Sequence, residues 1–166
     1  MSIAKRASKI LFYGVPATEE GGAVTYHRMT NFTEATTSKN PKEYTRQYVD
    51  EESERSDVVG YAPSTSYAFD LDPENPVHKD IVSITDGEKI GPEAVRELIL
   101  VDLNSAAEGE SGSATASAVA RSYSVIPDGE GDGFDAYSYT GSFKANGEKQ
   151  VGVASSSDGW QTVTLA

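Results

Sequence analysis

The stretch from Tyr44 to Leu103 constrains this chain most, because it sets three alternating segments around one acidic run and one short helix. Asn75 can cap the helix with its side-chain oxygen, and Pro76 at the next position already has helical φ. Val77, Ile81 and Ile84 then fall at i, i+4 and i+7, one apolar stripe along residues 76–86. Gly87 follows Asp86 and can take the left-handed conformation that ends a helix. A lone helix of this length does not hold in water, so its stripe must pack on something. The alternating segments to either side are the available partner, which predicts one helix laid against a β-structure.

The chain has 166 residues, enough for a single domain over 1–166 with a real core. Apolar residues make up only 37%, but nine Tyr, five Phe and one Trp spread along the chain argue against disorder. There is no cysteine, so neither a disulfide framework nor a thiolate metal site is available. The basic lead Met1–Lys9 is followed by an apolar run, Ile10–Val15, too short for a signal peptide. No apolar run approaches the ~20 residues of a membrane-spanning helix, and Asn31-Phe32-Thr33 reads as a chance sequon. The net charge of −12 argues against a conventional nucleic-acid binder, which needs cations to displace counterions from phosphates, and against an anionic membrane. It fits two readings: solubility by self-repulsion, or a surface that nucleic acid touches without sticking.

In chain order, residues 1–9 read as a mobile lead and Ile10–Val15 as a first strand. Val24–Met29 alternates as a second, with His27 a paired or exposed strand residue rather than a catalytic one. Asn31–Pro41, rich in Thr, Ser and Asn, reads as a connection. Tyr44, Arg46 and Tyr48 share one strand face, and the run Asp50–Asp57 sets five carboxylates around Arg55. That run is either a solvated loop or an arm that docks on a basic patch of a neighbouring subunit. Thr65, Tyr67, Phe69 and Leu71 alternate next. Val95, Glu97, Ile99, Val101 and Leu103 oppose Arg96, Leu98, Leu100 and Asp102, and the apolar run Leu98–Val101 points to burial on both faces. Asn104–Gly112 reads as a flexible loop. The Ala-, Ser- and Thr-rich 113–125 leans to strand, Pro127 closes it, and Asp128–Gly133 turns the chain. Tyr137, Tyr139 and Phe143 mark a strand, Asn146-Gly147 predicts a hairpin with Val151 and Val153 on the return, and Trp160–Leu165 ends the chain as a strand. Short strands, frequent turns and one helix give a mainly β fold, a β-sandwich or partly closed barrel with one flanking helix.

Chemistry is thin. Asp128–Gly133 resembles the first half of a calcium loop, but Tyr139 stands where the twelfth-position carboxylate is needed. Asp70, Asp72 and Glu74 are similarly incomplete. With no Cys and only His27 and His78 as near-neutral bases, no nucleophile–base–orienter set is in view, and no nucleophile elbow, phosphate loop or zinc motif occurs. His78, in the first helical turn, reads as solvent-facing. The expectation is a non-enzyme without cofactor or metal.

At this point a resemblance enters. KNPKEYTRQYVDEESERSDVVGYAPSTSYAFD, NPVHKDIVSITDGEKIG and VRELILVDL together resemble the major tail tube protein of long non-contractile-tailed bacteriophages, the siphophage type that infects Gram-positive hosts. KILFYGVP and AVTYHRM are similar to that family's opening strands, and YTGSFKANGEKQVGVA with WQTVTL to its closing hairpin. Residues 104–133 carry no distinctive match. The resemblance implies a tail-tube-like β-sandwich with one helix, and six copies closing into rings that stack as a hollow tube of the virion tail, assembled in the host cytoplasm. It also implies as partners the chain itself, the tape-measure protein, tail terminator and tail-tip proteins, and viral DNA passing through the lumen without specific binding, with no membrane. Asp50, Glu51, Glu52, Glu54, Arg55 and Asp57 are then expected to reach an adjacent subunit or ring, with Arg55 pairing across the contact. Lys5, Arg6 and Lys9 are expected to order on assembly. Two rivals stand beside this: a monomeric carbohydrate-binding adhesin using Tyr137, Tyr139 and Trp160 as platforms, and the inner tube of a contractile injection machine.

Overall fold

The structure, a computed structural model, describes residues 2–17, 21–109, 112–131 and 135–165. Six strands close on themselves: β1 (Lys9–Val15), β2 (Thr25–Arg28), β7 (Val95–Glu108), β8 (Ala114–Gly131), β10 (Gln150–Ser156) and β11 (Thr162–Leu165). Their order is β10-β11-β2-β1-β7-β8, and β8 pairs back onto β10, so this barrel has no free edge. A barrel of six strands is narrow, and the sequence meets this with small residues. Ala116, Ala118 and Ala120 alternate inward on β8 and face Ile10, Phe12, Ile99, Val101, Ala154 and Val163. The Ala- and Ser-rich segment that looked ambiguous is therefore a strand whose inward positions have room only for methyl groups.

β8 outruns the barrel. Its second half pairs with β9 (Ser138–Ala145), which pairs with β6 (Ser64–Asp70), which pairs with β3 (Phe32–Ser38). Helix α1 (Pro76–Asp86) lies on the barrel's outer face and this extension. Asn75 Oδ1 accepts from the backbone N–H of Val77 (3.0 Å) and His78 (3.4 Å), and its Nδ2 donates to Thr30 (3.1 Å). Val77, Ile81 and Ile84 are fully buried, as the stripe predicted, against Tyr13, Tyr67, Phe69, Leu98, Val125, Tyr139 and Phe143. Full burial of such a side chain contributes about 2 kcal/mol. β1 and β7 thus serve two cores, Phe12 and Ile99 pointing into the barrel and Tyr13 and Leu98 to the helix side.

Several expectations are corrected. Asn31–Pro41 is not a connection: Phe32–Ser38 is the edge strand β3, its Thr-rich sequence suited to one solvated face. Lys9 belongs to β1, opposite Asp102, and is not part of a mobile lead. β7 continues to Glu108 through the segment read as a loop. β8 passes Pro127 with a bulge between Pro127 and Gly129, so Asp128–Gly131 is strand, while Asp132 and Gly133 lie outside the described residues. Asn146-Gly147 is not a hairpin. β9 and β10 both run antiparallel to β8, one after the other along the same edge, and the dipeptide is the jog between them. Asn146 holds that jog by donating its backbone N–H to the Ser122 carbonyl (2.8 Å). Gly87 is right-handed at φ −81°, and the left-handed residue is Glu88 at φ 48°. Gly87 is still required, since a Cβ there would sit 2.8 Å from the Ser83 carbonyl oxygen. His78 does not face solvent. It is fully buried and stacks on Phe69 at 4.1 Å.

Candidate assembly surfaces

Between β3 and β6 the chain leaves the body as a two-stranded arm. Among the described residues, β4 (Pro41–Arg46) and β5 (Arg55–Tyr61) hydrogen-bond to each other and to no other strand. Tyr44 and Asp57 pair in register, as do Arg46 and Arg55, which sets these four side chains on one face. The Arg46 guanidinium lies over the rings of Tyr44 (5.2 Å) and Tyr48 (5.5 Å), and Arg55 lies over Tyr48 (5.8 Å). Arg46 also pairs with Asp57 at 2.6 Å and donates to the Tyr48 hydroxyl at 2.8 Å, and Arg55 pairs with Glu51. Alternating rings and guanidinium planes stiffen a hairpin that has no core beneath it. Tyr44 and Arg46 share a strand face as the sequence predicted, whereas Tyr48 lies beyond the end of β4 and joins them through the two arginines.

The expected ring-contact residues are therefore placed as follows. Asp50, Glu51, Glu52 and Glu54 lie in the 47–54 tip, whereas Arg55 and Asp57 are already in β5. Within the single chain Arg55 pairs with Glu51 while staying largely exposed. Asp50, Glu52 and Glu54 form no ion pair among the described residues and are exposed. Large apolar side chains are also left in water: Tyr44 at 57%, Val59 at 66%, and Tyr48, Val49, Val58 and Tyr61 with them.

The second surface is the face that α1 leaves uncovered. Register puts Leu11 and Tyr13 of β1, Leu98 and Leu100 of β7, and Val119 and Arg121 of β8 on one side of the sheet. The helix covers the Tyr13 and Leu98 end, and the Leu11, Leu100 and Val119 end lies open as a groove of about 220 Å³. Thr37 and Thr65, hydrogen-bonded across β3 and β6 at 2.8 Å, form its other wall, and Lys39, Arg121 and Lys149 rim it. At Leu11, Thr37 and Leu100 it runs on into a trough bordered by Lys5, Arg6 and Lys9. Arg6 donates to the carbonyls of Lys9 (2.7 Å) and Ala35 (3.2 Å), so in this structure it tethers the lead to β3.

Two further clusters are structural. Asp80 of α1 accepts from the Tyr13 hydroxyl (2.5 Å) and from Arg96 (2.8 Å), joining helix, β1 and β7. Burial, reinforced by Asp80, holds the Tyr13 phenol well above its ordinary pKa. No motif signals this triad, since only the fold brings positions 13, 80 and 96 together. The acidic trio is also explained: Asp72 Oδ1 accepts from the Glu74 backbone N–H at 3.0 Å, closing the turn into α1. Of the aromatic platform residues, Tyr139 is buried in the helix-side core, Trp160 packs against the barrel core, and Tyr137 is exposed. They form no common exposed face.

These features define a mainly β protein built on a closed barrel, with a projecting arm and an open apolar groove. No protein-family model and no curated protein matches the sequence. Among solved structures, the fold is similar to a chain in the cryo-EM structure of the anti-feeding prophage (AFP) baseplate, 6-fold symmetrised. The TM-score is 0.50 at 7% identity, over 91% of this chain and 97% of that chain. At that identity the likeness is one of fold.

Proposed function

We propose that this protein is a structural subunit of a phage-tail-like particle, and specifically a tail tube subunit that closes into six-membered rings and stacks as a hollow tube. The carrying observation is the fold shared over nearly the whole chain with a component of a six-fold baseplate. The resemblance of residues 39–103 to siphophage tail tube proteins narrows the reading to a tube of the non-contractile type. Such a tube would enclose the tape-measure protein, meet terminator and tail-tip proteins at its ends, and pass DNA. A net charge of −12 supports a conduit, because phosphates meet few cations to hold them. The exposed apolar arm supports a subunit rather than a free-standing module, since lone soluble domains rarely display such a patch without a partner. Contacts between unlike patches close into rings where the rotation permits and extend as filaments where it does not.

A second reading is favoured by the baseplate neighbour itself: a tube or baseplate component of a contractile machine. Negative-stain electron microscopy of the concentrated protein tests the proposal. Hollow tubes of repeating rings are expected. Rings that never stack favour a baseplate component, and monodisperse monomers at every concentration, alone and with tail-tip proteins added, count against both. Binding of a sheath protein to the assembled tube would identify the contractile type.

A further inference from the structure

We infer that the open groove beside α1 is the receptor for the β4–β5 arm of a second copy of this chain, an inference that rests on the assembly reading above. The two surfaces complement each other in chemistry and in need. The groove floor is apolar, with Leu11, Leu100 and Val119, and the arm carries unburied tyrosines and valines. Charge fixes the pairing more sharply. The chain has 14 Lys and Arg against 26 Asp and Glu, yet among the described residues the groove and the trough continuing it are lined by six cations and no carboxylate. The arm tip is the reverse. Its two arginines are taken up by its own Asp57 and Glu51, which leaves Asp50, Glu52 and Glu54 without an ion pair among the described residues. A basic groove on a strongly acidic protein repels few segments less than this one, and opposite potentials both guide encounter and fix register.

In this structure the arm does not occupy its own groove. Of the arm's described residues only Lys39 and Pro63, at its base, line the groove, and no residue of β4 or β5 does. Two strands of six and seven residues project about 20 Å from that base. Arm and groove are different patches of one molecule, so the contact is head-to-tail and each subunit both gives and receives.

The test uses two full-length variants. One neutralises the arm tip, Asp50→Asn with Glu52→Gln and Glu54→Gln, and keeps the groove. The other neutralises the groove rim, Lys39→Gln with Arg121→Gln and Lys149→Gln, and keeps the arm. Each alone is expected to self-associate at least tenfold more weakly than the unmodified chain, by sedimentation velocity. Mixed at equal concentration they should form a 1:1 heterodimer and stop there, because one good arm meets one good groove and the remaining pair does not match. A groove variant that assembles as well as the unmodified chain overturns the inference, as does a mixture that stays monomeric. Loss of assembly on removing residues 2–8, with the groove variant unaffected, also overturns it and assigns the groove to the lead. If the triple groove variant melts early, Lys39→Gln with Lys149→Gln, both exposed, repeats the test. Heterodimers without tubes from the unmodified chain would sink the tube reading and leave the arm–groove contact standing.

Discussion

At the scale of single residues, two buried polar groups make opposite predictions. The Tyr67 hydroxyl is buried with no hydrogen-bond partner among the described residues, and it lies over Gly141, where an added Cβ would sit 2.5 Å from it. An orphaned buried hydroxyl costs roughly 1–3 kcal/mol relative to leaving it in water. Tyr67→Phe is therefore expected to leave the melting temperature unchanged or raise stability by about 1 kcal/mol. Gly141→Ala, which must also clear the Ile126 carbonyl, should lower it by about 2 kcal/mol. Thermal melts of both variants check this, and a destabilised Tyr67→Phe would reveal a partner for the hydroxyl. His78 behaves differently because both ring nitrogens are engaged. Nδ1 accepts from the Asp72 backbone N–H (3.1 Å), so Nε2 carries the proton and donates to the Thr30 carbonyl (3.1 Å). Burial lowers its pKa below the ordinary 6.5, against smaller raising effects of the Thr30 bond and Asp72. The unfolded chain then takes up a proton at a higher pH than the fold does. Above 6.5 the imidazole is neutral in both states and makes no pH-dependent difference. As pH falls below 6.5, stability should decline by up to about 1.4 kcal/mol per unit until the folded pKa is reached. His27, also lowered by burial, adds an effect of the same sign. Urea titrations at pH 7.5, 6.5 and 5.5 should show the decline, and His78→Gln should flatten most of it.

At the scale of elements, what the sequence made legible and what it hid follow from how local each signal is. The bounds and buried stripe of α1 were readable because cap, proline and stripe are all local to the helix, and the structure uses all three. The arm's shared face of Tyr44 and Arg46 was readable from simple alternation. β3 was not, because an edge strand needs only one half-buried face and its Thr-rich sequence looks like a connection. The Asn146-Gly147 jog was misread for a related reason. Both residues suit positive φ, but whether the next strand folds back or runs on is decided by β8, more than twenty residues earlier. The candidate groove was hidden for the same cause, since Leu11, Thr37, Leu100 and Val119 meet only across four strands. The Asp80 triad belongs to this scale too, because it fastens α1 to β1 and β7. Side chains of Asp80 and Arg96 are each about one-tenth exposed, so removing one partner strands the other's charge. Asp80→Asn is expected to cost about 3 kcal/mol. A double-mutant cycle with Arg96→Met should return a coupling above about 1 kcal/mol, and additive effects would show that the pair only fills space.

At the scale of the whole molecule, the barrel and the helix layer share β1 and β7, whereas the arm shares nothing with either core. Phe12 and Tyr13 are neighbours in sequence, both fully buried, and belong to different cores. The body should therefore unfold as one cooperative unit whichever core is weakened. The arm is the opposite case. Every residue from Lys42 to Val59 is at least partly exposed, and β4 and β5 pair only with each other among the described residues. Replacing residues 42–60 by a short Gly-Asn turn removes no core side chain, so the change in stability of the body should stay within about 1 kcal/mol. Under the proposed function the same replacement should abolish rings and tubes at concentrations where the intact chain forms them. Thermal melting and negative-stain microscopy on one preparation separate the two quantities. A truncated chain that melts normally and still forms tubes would show the arm to be dispensable and remove the basis for the arm–groove contact. A truncated chain that fails to fold would show that the arm stabilises the body, against its exposure along its whole length. A stable, assembly-silent body is the expected result, because no residue of the arm enters either buried core.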